Sequence, residues 1–288
     1  MNKEKCKCRL CGNDDIIHKY EIKDHSIYSC KNCNLIFIGE LNIEPCEFYD
    51  QDYFCSETAS KGYNNYKELE SSLRKTFQKR ISNIEKYYNI KDKKTTILDY
   101  GCGFGFFVDE VSKKGYDVKG FEISQYAAGY ARENLKLDVR NIMNYPSNSF
   151  DLITLWDVIE HLENPLEILK NVNELLKDKG KIVITTGDIS SILAKISDKK
   201  WHLLNIPEHI CYFSPESMEF LLKNAGFKID RIKYENSYYT VSYLIERLNK
   251  TIFNFKSKNS NSSFQQKIKN ISLPVNLFDI MTVYATKQ

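Results

Sequence analysis

The chain has 288 residues, 42% of them hydrophobic and 27% charged, with a net charge of +3. That is ordinary globular usage at a length of about two domains, and it excludes collagen-like, low-complexity and disordered chains. The balance is too weak to argue for nucleic acid, no charge-free run of about 18 apolar residues predicts a membrane span, and the charged start MNKEKCKCRLCG lacks the apolar core of a signal peptide, so a cytoplasmic protein is expected.

Nine cysteines stand at positions 6, 8, 11, 30, 33, 46, 55, 102 and 211. Cys8 and Cys11 form one C-x2-C, Cys30 and Cys33 another, with eighteen residues between the pairs. That spacing predicts a zinc ribbon over residues 1–45. Each two-residue gap turns two thiolates toward one ion. Four thiolates complete a tetrahedron with no open position, so the expected zinc is structural. Gly12 follows the first knuckle, where a turn can need positive φ. Residues 20–22 and 27–28 read as short strands between the knuckles. Cys6 is a substitute ligand with poorer C-x-C geometry. Residues 1–35 carry seven Lys/Arg and five Asp/Glu, which makes no basic stripe.

Residues 46–90 form an aromatic linker, FYDQDYF at 48–54, and an amphipathic helix over 64–88. Leu69, Leu73, Phe77, Ile81, Ile84 and Tyr88 recur there at steps of three or four. Strands and helices then alternate. Strands are expected at 96–100, 117–123, 137–141, 150–156 and 181–186, and helices at 104–114, 125–135 and 165–176. Ser124 caps the second helix. Asn164 caps the third, with Pro165 in its first turn and Gly180 as its stop. A helix over 216–224, opened by Ser214 and Pro215, and strands at 227–234 and 278–285 complete a parallel α/β sheet wound on both sides, over residues 91–288. An insert around 237–272 holds a helix over 239–255 and a polar, disordered stretch over 257–263. It is expected as a lid, a contact with a second copy, or a membrane-surface helix. From Asn236 onward seven Lys/Arg face only Glu246 and Asp279.

The sharpest motif is ILDYGCGFG, residues 97–105, between a strand and a helix. A dinucleotide site would want glycine at 101, 103 and 106. Here the glycines are Gly101, Gly103 and Gly105, and position 106 is Phe. Asp99 ends the strand, where a carboxylate repels a pyrophosphate and attracts an ammonium group. Glu122, 21 residues past Gly101, can accept the hydroxyls of a ribose. A ribose joined to a charged amino acid describes S-adenosylmethionine better than NAD.

This loop, and NSFDLITLWDVIEHLENP at 148–165, resemble the class I S-adenosylmethionine-dependent methyltransferases, over about residues 64–288. The resemblance implies a Rossmann-like, doubly wound seven-stranded sheet. It also implies that Cys102 lies in the cofactor loop, that Glu122 holds the ribose, that Asn141 and Ile142 flank the adenine, and that Trp156 and Asp157 line the methionine end. The ribbon followed by YDxxYF resembles a subgroup of sugar and surface-polysaccharide methyltransferases, in whose pattern Tyr53 approaches the cofactor or substrate.

A methyl donor that arrives activated needs orientation and a dry site from the protein. A hydroxyl or acidic C–H acceptor also needs a base. His18 and His25 fall in the ribbon and read as surface residues. His161 follows Glu160 in DVIEHL, and His202 lies beside Trp201 as a substrate contact. Glu208-His209, in a loop over 201–214 beyond the fifth strand, puts a carboxylate beside an imidazole. It also resembles the pair in ribbon-bearing sugar C-methyltransferases. His209, Glu208 and His161 are therefore the catalytic candidates. The leading expectation is methyl transfer to a small polar acceptor, a hydroxyl of a nucleotide- or carrier-linked sugar. The alternatives are C-methylation of a keto-sugar or quinol-like carbon, a zinc-ribbon RNA-binding protein or RNA methyltransferase, and a non-catalytic cofactor-binding protein. No DNA partner is expected.

Overall fold

The computed structural model describes residues 6–40, 51–55, 66–248 and 271–288. Its centre is a seven-stranded sheet. The strands entering it are β4 (Thr96–Tyr100), β5 (Asp117–Phe121), β6 (Val139–Arg140), β7 (Phe150–Trp156), β8 (Leu176–Gly187), β10 (Phe227–Tyr234) and β13 (Ile280–Lys287). Their spatial order is β10-β13-β8-β7-β4-β5-β6. Strands β4 to β8 run parallel, while β13 is antiparallel to both β8 and β10, so the sheet is mixed rather than wholly parallel. The inner strands are apolar on both faces, as helices on both sides require. Leu98, Ile153, Leu155, Ile182 and Ile184 are fully buried on one side with Leu169, Val172, Met218, Leu221 and Leu222. Those last five belong to α4 (Pro165–Leu175) and α6 (Pro215–Asn224). On the other side Ile97, Leu152 and Val183 pack with Phe77, Ile81 and Ile84 of α1 (Glu70–Tyr88) and Phe106 and Phe107 of α2 (Phe106–Lys113). Helix α3 (Gln125–Leu135) starts where expected, with Ser124 accepting from the Ala127 amide. Ser214 and Ser217 form a reciprocal capping box on α6.

Several boundaries differ from the sequence reading. Helix α4 ends at Leu175 because Leu176 is already extended and begins β8. Gly180 therefore lies inside a strand instead of stopping a helix, and the Asn164 side chain makes no cap bond. Residues 239–240, read as helical, belong to β11 (Ser237–Thr240), which pairs with β12 (Ser272–Val275). A short helix α7 (Val241–Leu248) follows β11. A further short helix, α5 (Ile192–Ser197), precedes the 201–214 loop. The polar stretch at 257–263, Cys46, and most of the segment expected to meet a second copy lie outside the described residues.

The N-terminal module is a meander of β1 (Ile16–Ile22), β2 (His25–Cys30) and β3 (Ile36–Ile38). Its strands are longer than the sequence suggested. Its fourth strand comes from far along the chain: β9 (Cys211–Tyr212) pairs antiparallel with β3 through Ile36 opposite Tyr212 and Phe37 opposite Cys211. The ribbon sheet is thus continued by the segment that follows His209.

Candidate active site

The strand order reverses between β4 and β7, and the carboxyl ends at such a reversal form a ligand crevice. The glycine loop sits there. Gly101, Gly103 and Gly105 have φ of 77°, 54° and 80°, a region costly for other residues. Two further constraints are steric. A Cβ on Gly101 would lie 2.6 Å from Val158 Cγ2, and one on Gly105 2.8 Å from Leu137 Cδ1. The amides of Gly101 and Cys102 both donate to the Phe121 carbonyl, at 2.7 and 3.0 Å, tying the loop to β5. Cys102 is buried, which pushes its thiol well above the usual range.

Two buried carboxyl groups flank this loop. Glu122 accepts from the Gly103 amide at 2.7 Å and the Ser124 amide at 2.9 Å, and burial raises its pKa. Asp99 accepts from the Thr154 hydroxyl at 2.6 Å. Burial, added to by the Glu122 charge, pushes Asp99 up to about 7 against that hydrogen bond and against Arg80. Trp156 ends β7, and Asp157 follows it at positive φ, its amide held by Thr185. Asn141 and Ile142 follow β6, with Ile142 exposed.

Sequence reasoning missed two residues here. Arg80 of α1 is only 6% exposed, its guanidinium lies 4.6 Å over the Trp156 ring, and it reaches Asp157 at 3.8 Å. It falls on the same face as Phe77, Ile81 and Ile84, so a cation within an apolar seam was the available signal. Tyr66 is the other. It sits next to the glycine loop, stacked on Phe106 and edge-on to Phe54 and Phe104. Burial, then Glu122, Asp157 and Asp99, raise its hydroxyl pKa. Tyr53 is buried edge-on to Phe54, which stacks on Phe104, so the aromatic linker packs onto the loop.

Past β7, the short turn Ile159–His161 brings Glu160 and His161 against the 201–214 loop. One donor atom each of Glu160, His161 and His209 lies within 4.8 Å of the others. His161 Nδ1 meets the Glu208 carbonyl at 2.8 Å, and His209 Nδ1 meets the Leu203 carbonyl at 2.8 Å. Glu208 thus joins the cluster through its backbone, while its carboxylate accepts from Asn205. The buried carboxyl in the cluster is Glu160, which burial and Asp157 push up to about 8. Burial lowers the His161 pKa. His202 lies 3.6 Å from Asp279, which also accepts from Trp201 Nε1. Glu160, Thr186, Trp201, Leu203, His209 and Tyr212 line a small crevice.

The four ribbon cysteines also converge, with Sγ–Sγ distances of 3.4 Å for Cys8–Cys33 and 3.5 Å for Cys11–Cys30. Tetrahedral thiolates about 2.3 Å from a zinc ion lie a little under 4 Å apart, so the set fits that ion. Both knuckles turn through a left-handed residue, Gly12 at φ 70° and Asn34 at φ 58°.

A methyltransferase-domain family profile matches residues 70–232, more than half of the chain. The chain belongs to this family. It is 28% identical over 170 residues to the ubiquinone biosynthesis O-methyltransferase of Rickettsia bellii, covering 53% of this chain and 69% of the relative. To the Acinetobacter baylyi enzyme of the same name it is 22% identical over 210 residues, covering 67% and 85%. The YcgJ protein of Bacillus subtilis shares the fold at a TM-score of 0.51, with 15% identity, covering 74% of this chain and 98% of that one. So does an S-adenosylmethionine-dependent methyltransferase of Archaeoglobus fulgidus at 0.50, with 20% identity over 77% and 99%. The protein is therefore an S-adenosylmethionine-dependent methyltransferase with the Rossmann-like seven-stranded fold. These relatives lend no support to the carbohydrate expectation, and the family match begins at residue 70, beyond the ribbon. No helix among the described residues is long and apolar enough to cross a membrane.

Proposed function

We propose that this methyltransferase methylates a hydroxyl oxygen on a ring-shaped small molecule seated under the 201–214 loop. The observation that carries this reading is the gathering of Glu160, His161 and His209 just beyond Trp156, beside a crevice walled by Trp201, Leu203 and Tyr212. Aromatic and aliphatic side chains beside the polar cluster suit the oxygen-bearing edge of a ring at the mouth of this small crevice. The O-methyltransferase names of the relatives favour oxygen over carbon and a phenolic ring as acceptor. A sugar hydroxyl is the second reading, favoured by the ribbon and the aromatic linker that the family profile leaves out.

When bound, S-adenosylmethionine supplies a methyl group on a sulfonium leaving group. The residues around it then have separable tasks. Asp99 takes the ammonium group and Arg80 the carboxylate of its methionine half. Glu122 takes the ribose hydroxyls, and Asn141 and Ile142 flank the adenine. Tyr53 and Tyr66 close the crevice and exclude water, while Trp156 and Asp157 line the sulfonium end. His161 and His209, each with Nδ1 pinned, present Nε2 toward the acceptor oxygen that must lose its proton. Cys8, Cys11, Cys30 and Cys33 hold a structural zinc that stiffens the module pairing with β9.

The test is incubation with S-adenosylmethionine and separate panels of phenolic and sugar acceptors, followed by mass spectrometry for a gain of one methylene. His209→Ala should lower turnover by about 10²–10⁴-fold while affinity for S-adenosylhomocysteine stays within about twofold. Methyl transfer to carbon, or an unchanged rate in the variant, would overturn the reading.

A further inference from the structure

We propose that Glu160, His161 and His209 form a second metal site that takes a divalent transition-metal cation and offers it to the acceptor oxygen. The inference rests on the reading of the 201–214 loop as the acceptor side.

The first support is the fixed tautomer of both imidazoles. A backbone carbonyl only accepts hydrogen bonds. The Nδ1 contacts of His161 with the Glu208 carbonyl and of His209 with the Leu203 carbonyl, both 2.8 Å, therefore place the ring hydrogen on Nδ1. In the neutral ring the lone pair then belongs to Nε2. Metal-bound histidines are held in this way, donating the second ring N–H to a carbonyl or carboxylate.

The second support is Glu160. It is 5% exposed, and its Oε2 has no hydrogen-bond partner. A buried carboxylate oxygen left so is costly unless a cation or proton meets it. Its neighbours in the cluster are His161 and His209, and a cation shared by the three residues would meet that oxygen.

The third support is the backbone that spaces the donors. The Ile210 amide donates to the Glu160 carbonyl at 2.9 Å, and the Ile210 carbonyl accepts from the Ile38 amide at 2.9 Å. The residue after His209 is therefore clamped between the Glu160 turn and β3 of the ribbon. The donor atoms lie within 4.8 Å of one another. Ligands 2.0–2.2 Å from a common ion are roughly 3.4 Å apart, so side-chain adjustments of about 1 Å complete the site. Two imidazoles and one carboxylate favour zinc, manganese or iron over magnesium or calcium, and they leave coordination positions open. With the cation in place His161 and His209 act as its ligands instead of receiving the proton themselves, and a ring hydroxyl bound at an open position loses its proton to solvent more readily. Its oxygen then forms the O–CH3 bond as the S–CH3 bond breaks. Nothing is oxidised or reduced, and the cation is not consumed.

The experiment uses the full chain with zinc loaded on the ribbon. Mn²⁺ is titrated and followed by electron paramagnetic resonance, and Co²⁺ by its visible absorption. The wild type should take up one further equivalent with nitrogen and oxygen ligation and no new thiolate charge-transfer band. Glu160→Gln and His209→Ala should each weaken that uptake at least tenfold. S-adenosylhomocysteine affinity and the unfolding temperature serve as readouts that both variants are folded. Uptake of neither ion by the wild type, or uptake unchanged in the two variants, would overturn the metal site. Methyl transfer by wild-type protein that binds neither ion would do so while leaving the proposed function standing.

Discussion

In the proposed cofactor site, a carboxyl group held near neutrality would make capture of an ammonium group sensitive to pH. Asp99 is pushed up to about 7 chiefly by burial. A raised carboxyl favours its protonated form in the folded state. Its contribution to stability is therefore full below the unfolded value near 4 and is lost as pH rises through about 7. Binding of an ammonium group has the opposite demand, because it needs the carboxylate. Affinity for S-adenosylhomocysteine should fall about tenfold per pH unit below 7, with up to one proton released on binding. Calorimetry in two buffers of different ionisation enthalpy measures that release, and in Asp99→Asn both the pH slope and the release should vanish. The glycines offer a second comparison. A Cβ at Gly105 would meet Leu137 at 2.8 Å and Ala131 at 3.1 Å, whereas at Gly103 the nearest atom is the Tyr66 hydroxyl at 3.5 Å. Gly105→Ala should cost about 1–3 kcal/mol in denaturant unfolding, and Gly103→Ala distinctly less. The glycine loop was readable in the chain because its turn depends on local spacing. The cluster of Glu160, His161 and His209 was only half readable. His161 and His209 stood out as titratable residues, but their meeting depends on a turn after β7 touching a loop almost fifty positions later.

Among the secondary-structure elements, the legible ones were those with a single dominant period. The seam of α1 and the apolar runs of β4, β7 and β8 were visible for that reason. Arg80 was not, since a charge in a helical pattern is assigned to the solvent face, and only packing against Trp156 reveals it as interior. The hairpin of β11 and β12 was hidden as well. Tyr, Thr and Val suit a strand as well as a short helix, and the pairing partner lies more than thirty residues downstream. The Tyr238 amide donates to Thr76 Oγ1 at 2.8 Å, so this hairpin rests on α1, the helix that carries Arg80. The end of α4 was misread because glycine is a common helix stop, yet Leu176 had already joined β8 opposite Phe150. The ribbon was legible from its cysteines, and its strand lengths were set by pairing that no spacing encodes.

In the molecule taken as a whole, the two sheets are coupled at β3 and β9. The four cysteines shape the end of the ribbon from which β3 departs, and Arg9 donates to the carbonyls of Ile38 and Gly39 at 2.8 and 2.7 Å. Stripping the proposed zinc from the ribbon should therefore loosen more than the ribbon. Amide exchange at residues 210–213 should rise at least tenfold and the unfolding temperature should drop by several degrees, while exchange in β4 and β5 stays unchanged. Exchange that rose only within residues 6–40 would show that the coupling is absent. The same pairing governs how the gene can be cut. A fragment starting after residue 40 would strip the cover from Ile210, Cys211 and Tyr212, each now 5% exposed or less. It would leave a bare strand rim beside an oily surface, the combination that drives chains to stick to one another. The catalytic half is thus predicted to clump when expressed alone, however intact its own helices and strands remain.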